Sequence, residues 1–440
     1  MRGKVGTGSV LALDAIGMQD TFLINKNMDD SQWDPNYTQT SNFALTQRVL
    51  ELPGNAWIGQ EITMEILPKS TGDLISNMHL KCSLPALPDG YIYTDQIGRA
   101  IIQQVDFMID GQVIESLTDD WYIIRDQIIL DADEKNGLAY TINGGYAEGT
   151  LSKQTKTPQI DMMIPLDLFF CRRHSKNNKN RERLEKPYFP MCAIYNQRVY
   201  LKIKFNNSLW FCSTTYGGIE FVNPPQLILE EIQLNDSEKQ YIKSHKRRIV
   251  VNHVYKNPPL YLNQGISGQF TNNLGANFPV TAMAWFIRRT KFETDPNYVN
   301  SRYAYGYSTE YISTGIPVTF FNGVKLNYVD VISRGRISLD GNDIIDTNNG
   351  TYFSINQPME HGLSIPTKNI YLYCFGLSPK EYNQGGYLDF SPINSSTSVL
   401  DIQFNPLYSA EISQSFTAYV YYYGYTILEI SNGSGKLAFL

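Results

Sequence analysis

The sequence contains little charge and no apolar run long enough to cross a membrane. Charged residues make up 18% of the 440 residues, and the formal net charge is -6. A general nucleic-acid-binding protein would instead carry a strongly basic face. The longest apolar-looking run, FTAYVYYYGYTILEI, is too short and too rich in tyrosine to span a bilayer. The N-terminal segment lacks a long apolar region and a clear cleavage site, so no signal peptide is predicted.

Sequence signatures of catalysis are also missing. No GxSxG, HExxH, phosphate-binding loop or dinucleotide fingerprint occurs in the chain. We therefore predict no catalytic and no cofactor-binding residues, and we do not expect an enzyme. The five cysteines form no CxxC pair and are odd in number, which favours free thiols in a reducing compartment over a disulfide framework.

One group of residues has the chemistry of metal ligands. Cys171, His174 and Cys192 could each bind zinc, but their spacing fits no finger pattern and a fourth ligand is not evident. We therefore predict no metal site. The two cysteines are expected to be strand residues with buried thiols.

The chain is instead rich in the residues of β-structure and turns. Aromatic residues make up 13%, with 30 Tyr, and the chain has 32 Gly and 21 Pro. This composition is typical of a β-rich protein with many turns. A length of 440 residues predicts two or three domains.

Apolar and polar residues alternate along many short runs. EITMEILP and QRVYLKIKF are examples from the first half, and NIYLYCFGL and SVLDIQF are examples from the second. Alternation of this kind predicts strands that are buried on one face. Each half contains about eight such runs, which favours an eight-stranded jelly roll in each half.

A repeated pair of hairpins supports two copies of one domain. FMIDGQVIES places Asp110-Gly111 between two alternating runs, and RISLDGNDII places Asp340-Gly341 in the same context 230 residues later. An Asp-Gly pair predicts a tight hairpin whose two central residues have positive φ. DWYIIRDQ and GTYFSINQ follow the two hairpins at the same shift. The fold class is therefore predicted to be all-β, with two consecutive eight-stranded antiparallel jelly-roll sandwiches and a few short helices.

Two helices and the domain boundaries follow from polar patterns. Thr118 can cap a short helix in TDDWYIIRDQIIL. NDSEKQYIKSHKRR predicts a second helix, capped by Asp236 or Ser237. We predict an N-terminal arm over residues 1–41, a first jelly roll over 42–236, a connecting helix over 237–248 and a second jelly roll over 249–440.

A basic segment, RRHSKNNKNRERLEK at residues 172–186, is the candidate contact site. Consecutive charged residues cannot be buried without partners, so the segment should leave the sandwich as a loop. A solvated loop is the simplest interpretation, and a phosphate contact, a nuclear signal or a lipid contact are alternatives. We expect it to contact an acidic protein surface, not nucleic acid, because it contains no aromatic residue for base stacking. The candidate contact residues are Arg172, Arg173, Lys176, Lys179, Arg181 and Arg183.

Several stretches, taken in order, resemble the double jelly-roll major capsid proteins of large icosahedral nucleocytoplasmic DNA viruses. GMQDTFLINKN is similar to the opening segment of that family. RISLDGNDIIDTNNGTYFSINQP is similar to the hairpin of its second domain. NIYLYCFGLSPKEYNQGGYLDFSPINSST and the C-terminal ILEISNGSGKLAFL resemble two further family segments.

The resemblance implies a homotrimer in which six jelly rolls form a pseudo-hexagonal capsomer. Capsomers of this kind tile an icosahedral shell, with minor capsid proteins and an internal membrane beneath. It also implies a virion protein that assembles in the host cytoplasm. One alternative from another class stays open: a double jelly-roll protein that binds or processes glycans, which a native trimer mass without glycan binding would exclude.

Overall fold

The computed structural model of this chain describes most of the residues beyond the N-terminal segment. The described residues are 41–54, 56–68, 71–154, 157–171, 187–213, 218–262, 269–294, 302, 303, 305, 320, 321, 324, 325, 332–380, 385–404 and 415–438. The arm predicted over residues 1–41 therefore lies outside the described residues, apart from Ser41.

The first sandwich consists of eight antiparallel strands in two four-stranded sheets. One sheet has the strand order β1-β8-β3-β6, and the other has the order β2-β7-β4-β5. The strands are β1 (Phe43–Glu51), β2 (Glu61–Ile66), β3 (Leu74–Leu84), β4 (Ile102–Ile109), β5 (Gln112–Thr118), β6 (Ile160–Pro165), β7 (Val199–Phe205) and β8 (Gln226–Leu234). Pairing first with eighth, second with seventh, third with sixth and fourth with fifth is the winding of a jelly roll.

The second sandwich repeats this winding with additional short strands. One of its sheets has the order β10-β20-β12-β17, with β9 and β21 also paired to β20 and β18 paired to β12. The other has the order β11-β19-β15-β16. The strands are β9 (Arg247–Lys256), β10 (Leu260–Leu262), β11 (Gln269–Asn273), β12 (Pro279–Arg289), β13 (Phe320–Phe321), β14 (Val324–Lys325), β15 (Ile332–Leu339), β16 (Asn342–Asn348), β17 (Tyr371–Cys374), β18 (Leu388–Asp389), β19 (Val399–Phe404), β20 (Phe416–Ser431) and β21 (Ser434–Leu437).

The two Asp-Gly turns occupy equivalent positions in the two sandwiches. Asp110-Gly111 joins β4 to β5, and Asp340-Gly341 joins β15 to β16. All four turn residues have positive φ, between 48° and 87°, as the hairpin signal predicts. The likeness extends into the strands, because the pairing register skips Ile114 in β5 and Ile344 in β16. Each is the extra residue of a β-bulge at the same place. Together with the winding of the two sandwiches, this confirms the predicted fold class.

Helices connect the strands at a few places. They are α1 (Ile97–Ile101), α2 (Asp119–Ile128), α3 (Ala132–Ile142), α4 (Asp236–Ser244), α5 (Thr290–Thr294), a π-helical turn (Tyr352–Asn356) and α6 (Gln357–Glu360), with 3-10 turns at Leu151–Lys153, Met191–Ala193 and Ser208–Trp210.

The two predicted helices form, with one correction at a cap. Thr118 caps α2, where its side chain accepts a hydrogen bond from the Trp121 amide. The N-cap of α4 is Asn235 and not Asp236 or Ser237, because the Asn235 side chain accepts from the Glu238 amide at 2.8 Å. Asp236 lies in the first turn instead, where a negative charge favours the helix dipole.

Two apolar cores fill the two sandwiches. The core of the first sandwich follows from the alternation of side chains along its strands. In β7, for example, the side chains of Val199, Leu201 and Ile203 point inward and are buried. The same core continues onto the outer face of the second sandwich, where it includes Tyr421 and Tyr423. The inner face of the second sandwich has a separate core. The two sandwiches are therefore joined by apolar packing, and residues Phe43–Leu440 belong to one compact unit.

Candidate functional site

Helix α2 lies at the junction between the two sandwiches. All ten of its residues are buried, which is typical of a helix enclosed by protein on every side. Its C-terminal end is held by the second sandwich, because the Ser364 amide donates to the Ile128 carbonyl at 2.8 Å. The Gln127 side chain accepts from the amide and the hydroxyl of Thr367 at 2.9 and 2.8 Å.

Aromatic side chains fill the apolar part of the junction. The ring centroid of Trp121 lies 5.4 Å from that of Tyr423 and 6.0 Å from that of Tyr421. Both tyrosines project from β20, on the face of the sheet that points away from the core of the second sandwich. A cavity of about 10 Å³ between Trp121, Ile128 and Ala284 holds at most one water. The apolar part of the junction is therefore closely packed.

A charged cluster crosses the same junction. The Arg288 guanidinium of β12 pairs with the Asp120 carboxylate of α2, and both groups are buried. The Tyr305 hydroxyl donates to Asp120 at 2.8 Å, and the Tyr303 hydroxyl donates to Asp119 at 2.9 Å. Two adjacent carboxylates at the start of α2 thus receive their main partners from the second sandwich.

Burial and neighbouring charges shift the pKa values of the acids and bases in this cluster. Burial, and then the neighbouring Asp120, raise the pKa of Asp119 to about 6. Burial alone would lower the pKa of Arg288, but the surrounding acids, Asp120 first, hold it well above its ordinary value. Burial lowers the pKa of Arg302 to about 10. Arg288 is therefore a permanent cation that requires the carboxylates facing it.

Arg302 adds a second link to the first sandwich. Its guanidinium donates to the Leu209 carbonyl at 2.8 Å and lies 4.1 Å from the ring centroid of Trp210. Its Nε donates to the Phe292 carbonyl at 2.9 Å. These contacts hold the Arg302 guanidinium in one orientation, because it stacks on an aromatic ring and donates to backbone carbonyls.

A further buried cluster holds α2 from within the first sandwich. Arg99 of α1 donates to Asp126 at 2.8 Å, to Asp167 at 2.6 Å and to the Pro165 carbonyl at 2.6 Å. Arg125 pairs with Asp167 at 3.0 Å. Since both faces of α2 are held by ion pairs, the helix has one fixed position between the sandwiches.

Strand β1 exposes apolar side chains on the outer face of its sheet, whereas Ile228 and Ile232 of the neighbouring strand β8 are buried there. Phe43, Leu45 and Val49 project from it and are exposed. On the neighbouring strand β8, Leu45 is opposite Ile232 and Val49 is opposite Ile228, and the polar pair of Gln47 and Glu230 lies between them. An exposed apolar row of this kind marks a contact surface.

The sequence-predicted contact residues cannot be placed by this structure. Arg172, Arg173, Lys176, Lys179, Arg181 and Arg183 all lie in the segment 172–186, outside the described residues. The expectation for the two cysteines was wrong in secondary structure: Cys192 lies in a 3-10 turn, and Cys171 lies in a turn after β6. Cys192 is buried and Cys171 is partly exposed.

The described ranges contain neither a metal cluster nor a helix that could span a membrane. Within them, no group of three or more His, Cys, Asp or Glu is arranged to hold a metal ion. In the same residues, no helix is both long enough and apolar enough to cross a bilayer.

The local sequence does not reveal the junction cluster. Asp119 and Asp120 fit the acidic first turn of a helix, and Arg288 fits the end of a strand. The one available signal was the pair of arginines in WFIRR, which end an otherwise apolar strand. Charges are rare at such positions unless they are paired.

Two jelly rolls in one chain, joined side by side by a buried junction, define the double jelly-roll class of proteins. Solved structures agree on the fold. A chain of the PBCV-1 virus capsid has a TM-score of 0.73 at 18% identity, with 93% of this chain and 100% of that chain covered. The Faustovirus major capsid protein has a TM-score of 0.68 at 12% identity, with 96% and 97% covered.

Sequence comparisons identify the family. Residues 31–255 match the major capsid protein N-terminus, and residues 238–436 match the large eukaryotic DNA virus major capsid protein. The major capsid protein of Phaeocystis pouchetii virus is 23% identical, with 98% of this chain and 99% of that protein covered. That of Paramecium bursaria Chlorella virus 1 is 22% identical over the same shares. The chain belongs to the major capsid protein family of large eukaryotic DNA viruses, and it is a structural protein of the virion shell.

Proposed function

We propose that this capsid protein forms a homotrimer in which six jelly rolls make a pseudo-hexagonal capsomer, and that capsomers tile an icosahedral shell. One observation carries the proposal: the chain holds two like sandwiches side by side, and one of them exposes apolar side chains along its edge strand β1. Three chains with two units each give a ring of six similar units, and head-to-tail contacts form such a ring when the rotation between neighbours closes.

The mass of the native protein tests the oligomer. Light scattering at micromolar concentration should give three times the chain mass of 50.1 kDa. A monodisperse monomer under native conditions would contradict the proposal. Absence of binding to a glycan panel in the same preparation would also exclude the glycan-binding alternative.

The proposed partners are neighbouring capsomers, minor capsid proteins and an internal membrane beneath the shell, with assembly in the host cytoplasm. Residues 1 to about 35 are polar and aperiodic, so we expect them to become ordered at the underside of the capsomer. Deleting them should leave the trimer intact and impair shell assembly. Loss of the trimer would show that the arm belongs to the core fold.

The basic segment 172–186 is proposed as a contact to a neighbouring subunit or a minor protein. A chain of net charge -6 can use one basic segment to bind an acidic surface. Neutralising its six candidate residues should preserve the trimer and weaken assembly in a salt-dependent manner. Tight salt-resistant binding of wild-type trimers to duplex DNA, lost in the neutralised variant, would favour a nucleic-acid role instead.

We also propose that residues 42–236 and 249–440 are two domains, joined by residues 237–248, and that neither is catalytic. Helix α4 and the start of β9 fall in the joining segment. The cavity at the junction is lined by apolar and aromatic side chains and is too small for a substrate. Purified trimers should therefore hydrolyse glycan substrates no faster than buffer does.

A further inference from the structure

A groove lies at one end of the first sandwich, between the segment that follows β1 and the segment that precedes β8. Its volume is about 310 Å³, which is the size of a small ligand-binding site. Pro53 and Trp57 line it from the first segment, and Pro224 and Pro225 line it from the second. The Leu52 amide donates to the Pro225 carbonyl at 3.0 Å and links the two segments. The three prolines give the groove a stiff backbone.

The Trp57 side chain lines the groove and is also open to solvent. It is 60% exposed, and within the described residues its indole has no hydrogen bond and no stacked ring. The Phe221 ring of the same groove instead packs edge-to-face on Phe205, with the ring centroids 5.2 Å apart. Tryptophan is among the side chains that contribute most to binding when a partner covers them. Trp57 is therefore free to receive a ligand, whereas Phe221 is held by the core.

A carboxylate stands beside this apolar lining. Among the described residues that line the groove, Glu220 alone has an ionisable side chain. One of its carboxylate oxygens accepts a hydrogen bond at 3.2 Å from the amide of Ile58, the residue next to Trp57 in the chain. Glu220 is exposed, and in the described part of the chain it forms no salt bridge. Its charge is thus positioned but not neutralised, so the groove favours a cationic ligand.

The lining also separates two classes of ligand. A sugar carries several hydroxyl groups that need hydrogen-bond partners. Apart from Glu220 and the indole nitrogen of Trp57, the one polar side chain among the described lining residues is that of Asn223. A proline-rich peptide has a different need, because it is already extended and docks on grooves lined by aromatic side chains. An arginine or lysine beside its prolines would pair with Glu220.

We infer that the groove at Trp57 and Glu220 binds a proline-rich peptide segment that carries arginine or lysine, with the prolines on Trp57 and the cation on Glu220. The groove follows Glu51 at the end of β1, whereas the N-terminal arm precedes Phe43 at the start of that strand. In the proposed capsomer the arm is at the underside, so the groove faces outward and its partner is a protein met outside the shell. This last step rests on the proposed function, and the ligand chemistry does not.

Fluorescence anisotropy tests the ligand class. The probe is a fluorescein-labelled peptide of repeated Pro-Pro-Arg units, titrated with the purified native protein at low salt. The expected dissociation constant is on the order of 100 µM or lower, since a short groove forms a weak but measurable complex. Trp57→Ala should raise this constant at least about tenfold. The matched control is Tyr140→Ala in α3, which removes an aromatic side chain of similar exposure, 53%, and should leave the constant unchanged.

A second peptide isolates the role of Glu220. Replacing each arginine of the probe by glutamine should weaken its binding to the wild-type protein about fivefold. Glu220→Gln should weaken the arginine peptide to the same extent and leave the glutamine peptide unchanged. The glutamine side chain keeps an oxygen that can accept from the Ile58 amide, so the local geometry is preserved. Equal affinity of the wild-type protein for the two peptides would show that Glu220 does not bind the cation and would overturn the inference.

The urea midpoints of the Trp57 and Glu220 variants should match that of the wild type, because both side chains are exposed. No binding of the arginine peptide at millimolar concentration, or an unchanged constant in Trp57→Ala, would also overturn the inference. Binding of a fluorescein-labelled oligosaccharide that depends on Trp57, without binding of the peptide, would assign the groove to sugars instead. Light scattering of the same preparation keeps the two claims apart. A monomer that binds the peptide through Trp57 would contradict the capsomer and support the ligand assignment.

Discussion

Replacing Arg288 by methionine tests whether the buried charged cluster holds the two sandwiches together. The Arg288 side chain is buried, pairs with Asp120 across the junction, and donates to Glu293 at 3.3 Å and to the Arg302 carbonyl at 2.8 Å. Arg288→Met keeps much of the side-chain volume but leaves the Asp120 carboxylate buried without its cation. Breaking a buried pair in this way costs about 3–5 kcal/mol.

The assay is the free energy of unfolding in urea, with a double-mutant cycle. Asp120→Asn alone should also be costly, and Arg288→Met with Asp120→Asn should cost less than the sum of the two, because the double variant removes both charges of this pair. The control is Arg336→Met, whose guanidinium pairs with Asp401 at 2.7 Å but is 40% exposed. An exposed pair contributes about 0–1 kcal/mol. If Arg288→Met costs no more than Arg336→Met, the junction cluster does not stabilise the chain as argued.

Three further predictions concern single positions. Burial raises the pKa of Asp119 from 3.8 to about 6. This group therefore contributes stability that is fully present below about pH 4 and is lost as the pH rises through 6. Asp119→Asn should remove this part of the pH dependence of unfolding, and an unchanged profile would contradict the prediction. Gly424→Ala should destabilise the protein by about 2 kcal/mol or more, because the new Cβ would lie 1.9 Å from the Pro279 carbonyl oxygen. Gly137→Ala in α3, where the methyl group meets open space, should instead stabilise it by about 0.5–1 kcal/mol. Equal effects of the two substitutions would refute the packing argument. Asn235→Ala should cost about 1 kcal/mol through loss of the α4 cap, and a neutral result in thermal unfolding would show that the cap is dispensable.

The strands with strict alternation could be predicted from sequence alone. The eight runs of the first half correspond to β1–β8, and the Asp-Gly pair located the equivalent hairpins of both halves. Local pattern suffices for these features because a half-buried strand and a tight hairpin turn each constrain their own residues. The prediction of the assembly came from the segments that resemble the family, because no local pattern contains information about assembly.

The second sandwich was harder to predict. Strand β11, in QFTNN, is short and rich in asparagine, so it has almost no apolar alternation and was missed. Short strands are held by their neighbours in the sheet, and this support cannot be detected in their own sequence.

The junction could not be predicted for a different reason. Asp120 and Arg288 are 168 residues apart, and their pairing depends on how two finished sandwiches pack. The same holds for Ile114 and Ile344, the bulge residues of the equivalent hairpins, because they are similar in sequence context but Ile114 is buried and Ile344 is exposed. Tertiary packing decides these features, so the structure was needed to find them.

The most direct test of the capsomer is an electron-microscopy image of the purified native protein. Class averages along the particle axis should show threefold symmetry with six sandwich-sized lobes in a pseudo-hexagonal ring, two lobes from each chain. A particle with two lobes, or one with twofold symmetry, would contradict the account.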